Sequence, residues 1–104
     1  MLELRPNCEL CDRDLPPQSD AARICSYECT YCADCVETVL HNVCPTCGGG
    51  FAPRPIRPAK AWRAEKTLGL AYHPPSTVRR HSPYRPDDLA GHVARIKDLP
   101  PQAR

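Results

Sequence analysis

Apolar positions in this chain fall into short stripes separated by polar and proline-rich stretches. In "DCVETVLHNV", Val36, Val39, Leu40 and Val43 recur at i, i+3, i+4 and i+7, which predicts a helix over residues 34–43. Asp34 and Glu37 have the spacing of a capping box at its start, with Asp in place of the usual Ser or Thr. Upstream, "ARICSYEC" reads as a short strand, and "ELCDRDLP" as a metal knuckle followed by a loop. Two weaker stripes follow. Ala61, Ala64, Leu68 and Ala71, with Trp62 alongside, suggest a helix over about 60–71, although Gly69 disfavours it. Leu89, Val93 and Ile96 suggest a helix over about 86–98, with Pro86 in the first turn and Gly91 a weak point inside it. Between these stripes, "YHPPSTVRRHSPYRP" is a loop kept extended by its prolines.

These stripes are too narrow for a self-sufficient core. The 104 residues include one Trp, one Phe and one Met, and domains this small generally need a covalent or metal staple. The sequence supplies eight cysteines, all within its first 47 residues. No apolar run approaches a membrane span. The opening "MLELRPNC" has no apolar signal-peptide region, so the expected setting is the reducing cytoplasm, where structural disulfides are rare.

Charge and proline divide the chain. Residues 1–50 hold eight acidic and three basic side chains, while residues 51–104 hold eleven basic and four acidic. Nine of thirteen prolines lie in the second part. The break falls at "CGGGFAPRPIRP", which predicts a cysteine domain over 1–50 and a proline-rich basic tail over 51–104.

The cysteines form four pairs: Cys8/Cys11, Cys25/Cys29, Cys32/Cys35 and Cys44/Cys47. A C-x2-C turn aims two sulfurs at one ion, and two such pairs complete a tetrahedral four-thiolate site of the kind zinc prefers. Four pairs therefore predict two Zn2+ ions with no cysteine left over. Disulfides are the first alternative, at odds with the absence of a secretion signal. The second is an iron–sulfur cluster, suggested by "CTYCADC" and a later "CP" but with the wrong final gap. The third is a redox C-x2-C motif, which needs a βαβ context. Sequential sites would join 8/11 with 25/29 and 32/35 with 44/47. A cross-brace would join Cys8, Cys11, Cys32 and Cys35 at one zinc and Cys25, Cys29, Cys44 and Cys47 at the other. A helix leaving the third pair directly and a final C-P-x-C knuckle favour the cross-brace, in a small metal-stapled α+β fold of treble-clef-like layout.

The order and spacing over residues 8–47 resemble a RING finger with Cys29 in place of the usual histidine. Leu10, Tyr31 and Pro45 match apolar, aromatic and proline positions of that pattern. The segments "MLELRPNCELCDRDLPP", "ARICSYECTYCADC", "CPTCGG" and "RPIRPA", with "HPPST" further on, more closely resemble a family of small cysteine-rich bacterial proteins known only as a domain of unknown function. That resemblance runs to about residue 80 and implies a zinc-bound fold without implying a reaction.

Two Zn2+ with eight thiolates would bring the first half to a formal charge of about −9, which opposes phosphate binding there. Asp12, Asp14, Asp20, Glu28 and Asp34 read as a solvated surface, His41 as a helix-surface residue, and Trp62 as a packing residue before a partner contact. "RRHS", residues 79–82, matches a basophilic kinase site by composition. No catalytic set stands out, and a zinc closed by four thiolates has no open position for water. The expected function is therefore a non-enzymatic zinc-binding interaction module with a protein partner and no membrane association, its contact candidates being Leu10, Leu40, Pro45 and Trp62. The alternatives are nucleic-acid binding by the arginine-rich tail, a RING-type adaptor for a ubiquitin-like conjugating enzyme, and a zinc or redox sensor.

Overall fold

The structure, a computed structural model, describes all 104 residues. Strand β1 (Ala22–Ile24) pairs antiparallel with β2 (Thr30–Cys32), Arg23 standing opposite Tyr31. A later strand, β3 (Ala52–Pro53), adds to the other edge of β1, so the sheet order is β2-β1-β3. Proline is tolerated in β3 because that strand lies at the sheet edge. An antiparallel three-stranded sheet contains no βαβ unit, which removes the thioredoxin-type reading.

Helix α1 (Ala33–Cys35) leaves β2 without a loop and widens into a π-helical turn, Val36–Leu40. Its cap differs from the expected Asp34/Glu37 box: Cys32 is the N-cap, and its sulfur accepts the N–H of Cys35 at 3.5 Å. Asp34 lies one position inside the first turn, where a negative charge still suits the helix dipole. The π-turn ends where His41 and Asn42 both adopt left-handed conformations, φ 47° and 62°. Of the stripe, Val36, Leu40 and Val43 are buried, whereas Val39 faces outward.

Helix α2 (Pro86–Ile96) forms as its pattern predicts, with Pro86 at its start, Asp87 and Asp88 in the first turn and Arg95 in the last. Leu89 and Val93 enter the same apolar cluster as Leu15, Tyr31, Leu40 and Val43. The helix expected over 60–71 does not form. Residues 58–68 are exposed, with Trp62 80 % accessible, so Trp62 is not the packing residue it was expected to be. Gly69, at φ 102°, turns the chain there: a Cβ at this position would stand 2.9 Å from the Lys60 backbone. The resulting turn is closed by Leu70 donating to the Pro58 carbonyl, and this local geometry overrides a weak alanine stripe.

Twenty-one residues are buried, and of the eleven in the central cluster three are cysteines, Cys8, Cys32 and Cys35. Arg54, 3 % exposed, crosses this core from just after β3 and donates to the carbonyls of Arg5, Leu15 and Pro16 at 2.8–3.1 Å. Burial, and then the nearby Arg57 charge, lower its pKa, and the three carbonyl dipoles take the place of a carboxylate partner. No helix is long and apolar enough to cross a membrane.

Candidate metal centres

Two of the four cysteine pairs share one construction. In the first knuckle the Cys8 carbonyl accepts the N–H of Asp12 at 2.9 Å, and Asp12 is left-handed at φ 67°. In the last, the Cys44 carbonyl accepts the N–H of Gly48 at 2.9 Å, and Gly48 lies at φ 77°. Each knuckle is thus a single helical turn reversed by one left-handed residue. Glycine suits the second case because its missing Cβ makes the left-handed conformation easy to adopt. The other two pairs sit at the ends of the β1–β2 hairpin. Cys25 and Cys29 close its loop, where Cys25 donates to the Cys29 carbonyl at 3.2 Å and Glu28 turns the chain at φ 70°. Cys32 and Cys35 flank the start of α1.

The sulfurs of Cys8, Cys11, Cys32 and Cys35 all lie within 4.8 Å of one another, as do those of Cys25, Cys44 and Cys47. Cys29 is outside that mutual set, but its thiol reaches both Cys25 and Cys44. The grouping is interleaved, first pair with third and second with fourth. All eight cysteines are free of disulfides. A tetrahedral ion with metal–sulfur bonds of about 2.3 Å has sulfur–sulfur edges of about 3.8 Å, and Cys11 Sγ stands 3.8 Å from Cys32 Sγ. Sulfurs gathered this closely fit the coordination shell of one ion better than the edges of a multi-iron cluster. Both groups could hold a metal ion, and their thiol-only donor set is consistent with zinc.

Burial raises the pKa of Cys8, Cys29, Cys35 and Cys44. Burial also opposes ionisation of Cys25 and Cys32, but backbone N–H donors and neighbouring thiols outweigh it and hold both below the ordinary thiol value. Tyr27 donates to Cys25 Sγ at 3.3 Å, and Gly49 to Cys47 Sγ at 3.4 Å. These donors stabilise thiolates, and a dication held among them would offset the burial penalty.

Each knuckle is buttressed by a different downstream segment. On the first, Asn7 is fully buried and its amide grips Arg80, donating to the Arg80 carbonyl at 2.8 Å and accepting its N–H at 3.2 Å. The His81 and Arg79 hydrogen bonds hold the Asp12 carboxyl below its usual range, and Arg79 also pairs with Asp14. On the second, His92 of α2 donates to the Cys44 carbonyl at 2.9 Å, and Arg104 donates to the carbonyls of Asn42 and Gly48. Inside the first knuckle, Glu9 accepts from Thr30 N at 2.6 Å and from Arg5 at 2.9 Å, tying the turn to β2.

The family model described as "Protein of unknown function (DUF1272)" matches residues 1–57, more than half of the chain. The chain belongs to the DUF1272 family. An uncharacterised protein of Rhizobium meliloti (strain 1021) is 54 % identical over 79 residues, covering 76 % of this chain and 84 % of its own. No solved structure matches. The DUF1272 match takes in all eight cysteines, Arg54, and every residue of the first knuckle that meets the 79–82 segment.

Several sequence expectations for the DUF1272 chain need correction. Leu40 is wholly buried, so it is a core residue and not a contact surface. Pro45 is also buried, while Leu10 is half-buried against the core beside α2. Asp12, Asp14 and Glu28 are not merely solvated: the first two bind Arg79, and Glu28 accepts the Glu3 N–H at 2.7 Å. Ser82 is a poor kinase acceptor, because its hydroxyl is buried and its N–H is held by Glu9. His41, in contrast, matches its expectation as a surface residue: it is exposed at the end of the π-turn and joins neither cysteine group. Arg54 and Asn7 carried no periodic or motif signal. Their roles depend on contacts made across 38 or more residues of sequence.

Proposed function

We propose that this chain is a non-enzymatic interaction module folded around two Zn2+ ions in a RING-like, treble-clef-like cross-brace: Cys8, Cys11, Cys32 and Cys35 at one ion, and Cys25, Cys29, Cys44 and Cys47 at the other. The observation that carries it is the convergence of four sulfurs from residues 8–35 within 4.8 Å, three of them also in the core. Metal binding there is folding energy, because the unfolded chain has no such site. Four thiolates leave no position for a reacting water, which supports a structural role for the metal over a catalytic one. A reducing cytoplasm is the compartment that keeps such thiols available.

The competing readings have less support. Arg54, Arg57, Arg79 and Arg80 are engaged by carbonyls or carboxylates of the same chain, which weakens the case for a free phosphate-binding tail. A RING-type adaptor surface at Leu10, Leu40 and Pro45 meets α2, which packs Leu89 into the cluster containing Leu40. Native mass spectrometry with zinc quantification tests the proposal: two zinc ions per chain are expected, together with unfolding on chelation. A brown, visibly absorbing protein, or a metal-free chain that still melts cooperatively, overturns it.

A further inference from the structure

Residues 76–82 adopt no regular secondary structure, yet they are held at several points by residues 3–14, the first knuckle and the stretch of chain leading into it. Ser76 N donates to the Leu4 carbonyl at 3.0 Å and Ser82 N to the Glu9 carbonyl at 2.8 Å. Between them, the buried Asn7 amide takes both the N–H and the C=O of Arg80. These contacts read backbone and are indifferent to side chains. The side chains add charge selection. Arg79 donates to Asp14 at 2.7 Å and to the Asp12 carboxylate at 2.9 Å, Arg80 reaches Glu3 at 3.3 Å, and His81 meets Asp12 at 2.9 Å. Main-chain hydrogen bonds for affinity with alternate side-chain contacts for specificity is how extended peptides are recognised.

The receiving groups all lie in residues 3–14, inside the family-matched region, and the received segment lies outside it. The two are separated by the exposed stretch 58–68. The arrangement is that of a receptor surface joined by a tether to a ligand.

Building on the interaction-module reading, we propose that the surface around Asn7, Asp12 and Asp14 is a recognition site for extended peptides bearing two consecutive arginines, and that residues 76–82 are its built-in occupant. A tethered occupant acts at an effective concentration of about millimolar. A partner peptide therefore meets a filled site, and its apparent affinity rises when the internal segment is weakened. The acidic lining favours a basic peptide and opposes a nucleic acid.

The test uses the full chain and a labelled synthetic peptide of residues 76–82, followed by fluorescence anisotropy. The Arg79→Ala/Arg80→Ala variant should bind it at least about tenfold more tightly than wild type. Adding Asp12→Asn and Asp14→Asn to that variant should abolish binding, as should replacing both peptide arginines by glutamine. Equal binding by wild type and variant, or none by a variant that retains its zinc, overturns the proposal. A second measurement covers the case in which the variant misfolds. In wild type, excess peptide should speed amide exchange at Arg80 and Ser82, and unchanged exchange at high peptide refutes the displacement. Zinc content is measured on the same samples. A chain that binds peptide without zinc overturns the zinc reading and leaves this one standing.

Discussion

The two cysteine groups are built from the same knuckle but finished differently. Around Cys8 and Cys11, four sulfurs converge within 4.8 Å, and three of the four residues belong to the central core. Around Cys44 and Cys47, three sulfurs converge, Cys29 stands at the margin on a hairpin loop, and none of the four residues is in the buried central cluster. The first centre shares three residues with that cluster, whereas in the second Cys25 and Cys44 are as deeply buried but lie outside it. The buttresses follow the same division: the first knuckle is held by an extended segment through a buried amide, the second by a helix through His92 and by Arg104. In a chain with so small a core, a ligand's share in packing sets how far its loss is felt.

The largest expected effect comes from Cys8→Ser/Cys11→Ser. This double variant should lose cooperative folding and expose Cys32 and Cys35 to alkylation. Persistent protection of Cys32 and Cys35 with new reactivity at Cys25 and Cys29 would instead establish sequential sites. Next comes the order of metal loss. Graded chelation should release one equivalent well before the other, with Cys29 and Cys47 labelled first by mass spectrometry. Simultaneous release would erase the proposed difference between the centres. Third, Arg54→Ala should destabilise the chain by about 2 kcal/mol, since it strands the buried Leu15 carbonyl and removes the ties to the Arg5 and Pro16 carbonyls that join the first-knuckle side to β3. Urea titration reads this, and a change below about 1 kcal/mol would mean that water replaces the guanidinium.

Gly91→Ala acts on the second buttress alone. A Cβ at Gly91 meets nothing within 4 Å, so the substitution should stabilise the chain by about 1 kcal/mol through helix propensity, visible as a higher urea midpoint. A neutral result would show that α2 is not limiting. The smallest effect belongs to Asp12→Asn, at an exposed ion pair. It should raise amide exchange at Arg80 and Ser82 while leaving that of Gly48 unchanged. Coupled exchange at Gly48 would merge the two buttresses into one unit.

The interleaved grouping was legible in the sequence because a helical stripe begins directly at the third cysteine pair, and only an interleaved fold uses that helix to link two centres. Helix α2 was legible from Leu89, Val93 and Ile96 with proline at its start. The widened π-turn was not, because it ends at the left-handed pair His41 and Asn42, whose residue types are equally at home in an ordinary helix end. The expected helix at 60–71 rested on alanine spacing, whereas the chain path there follows from Gly69 against the Lys60 backbone, a contact with no sequence signature. Most consequential was the charge division. Acidic and basic halves read as two bodies, yet Arg79 meets Asp12 and Asp14 across 65 or more residues. Net charge reports complementarity only once the fold has brought the two halves together.

The interleaving also bears on how the chain is made. As residues leave the ribosome, Cys8 and Cys11 must wait for Cys35 before their group is complete, and Cys25 and Cys29 must wait for Cys47. Only twelve positions separate the two completions, about one to two seconds of synthesis at ordinary elongation rates. For most of the emergence of this region neither cysteine group is complete, and then both are completed almost together. The nascent chain thus passes from five thiols in no complete group to eight in two complete groups over that narrow interval, before Arg54 and the segments that buttress the knuckles have emerged.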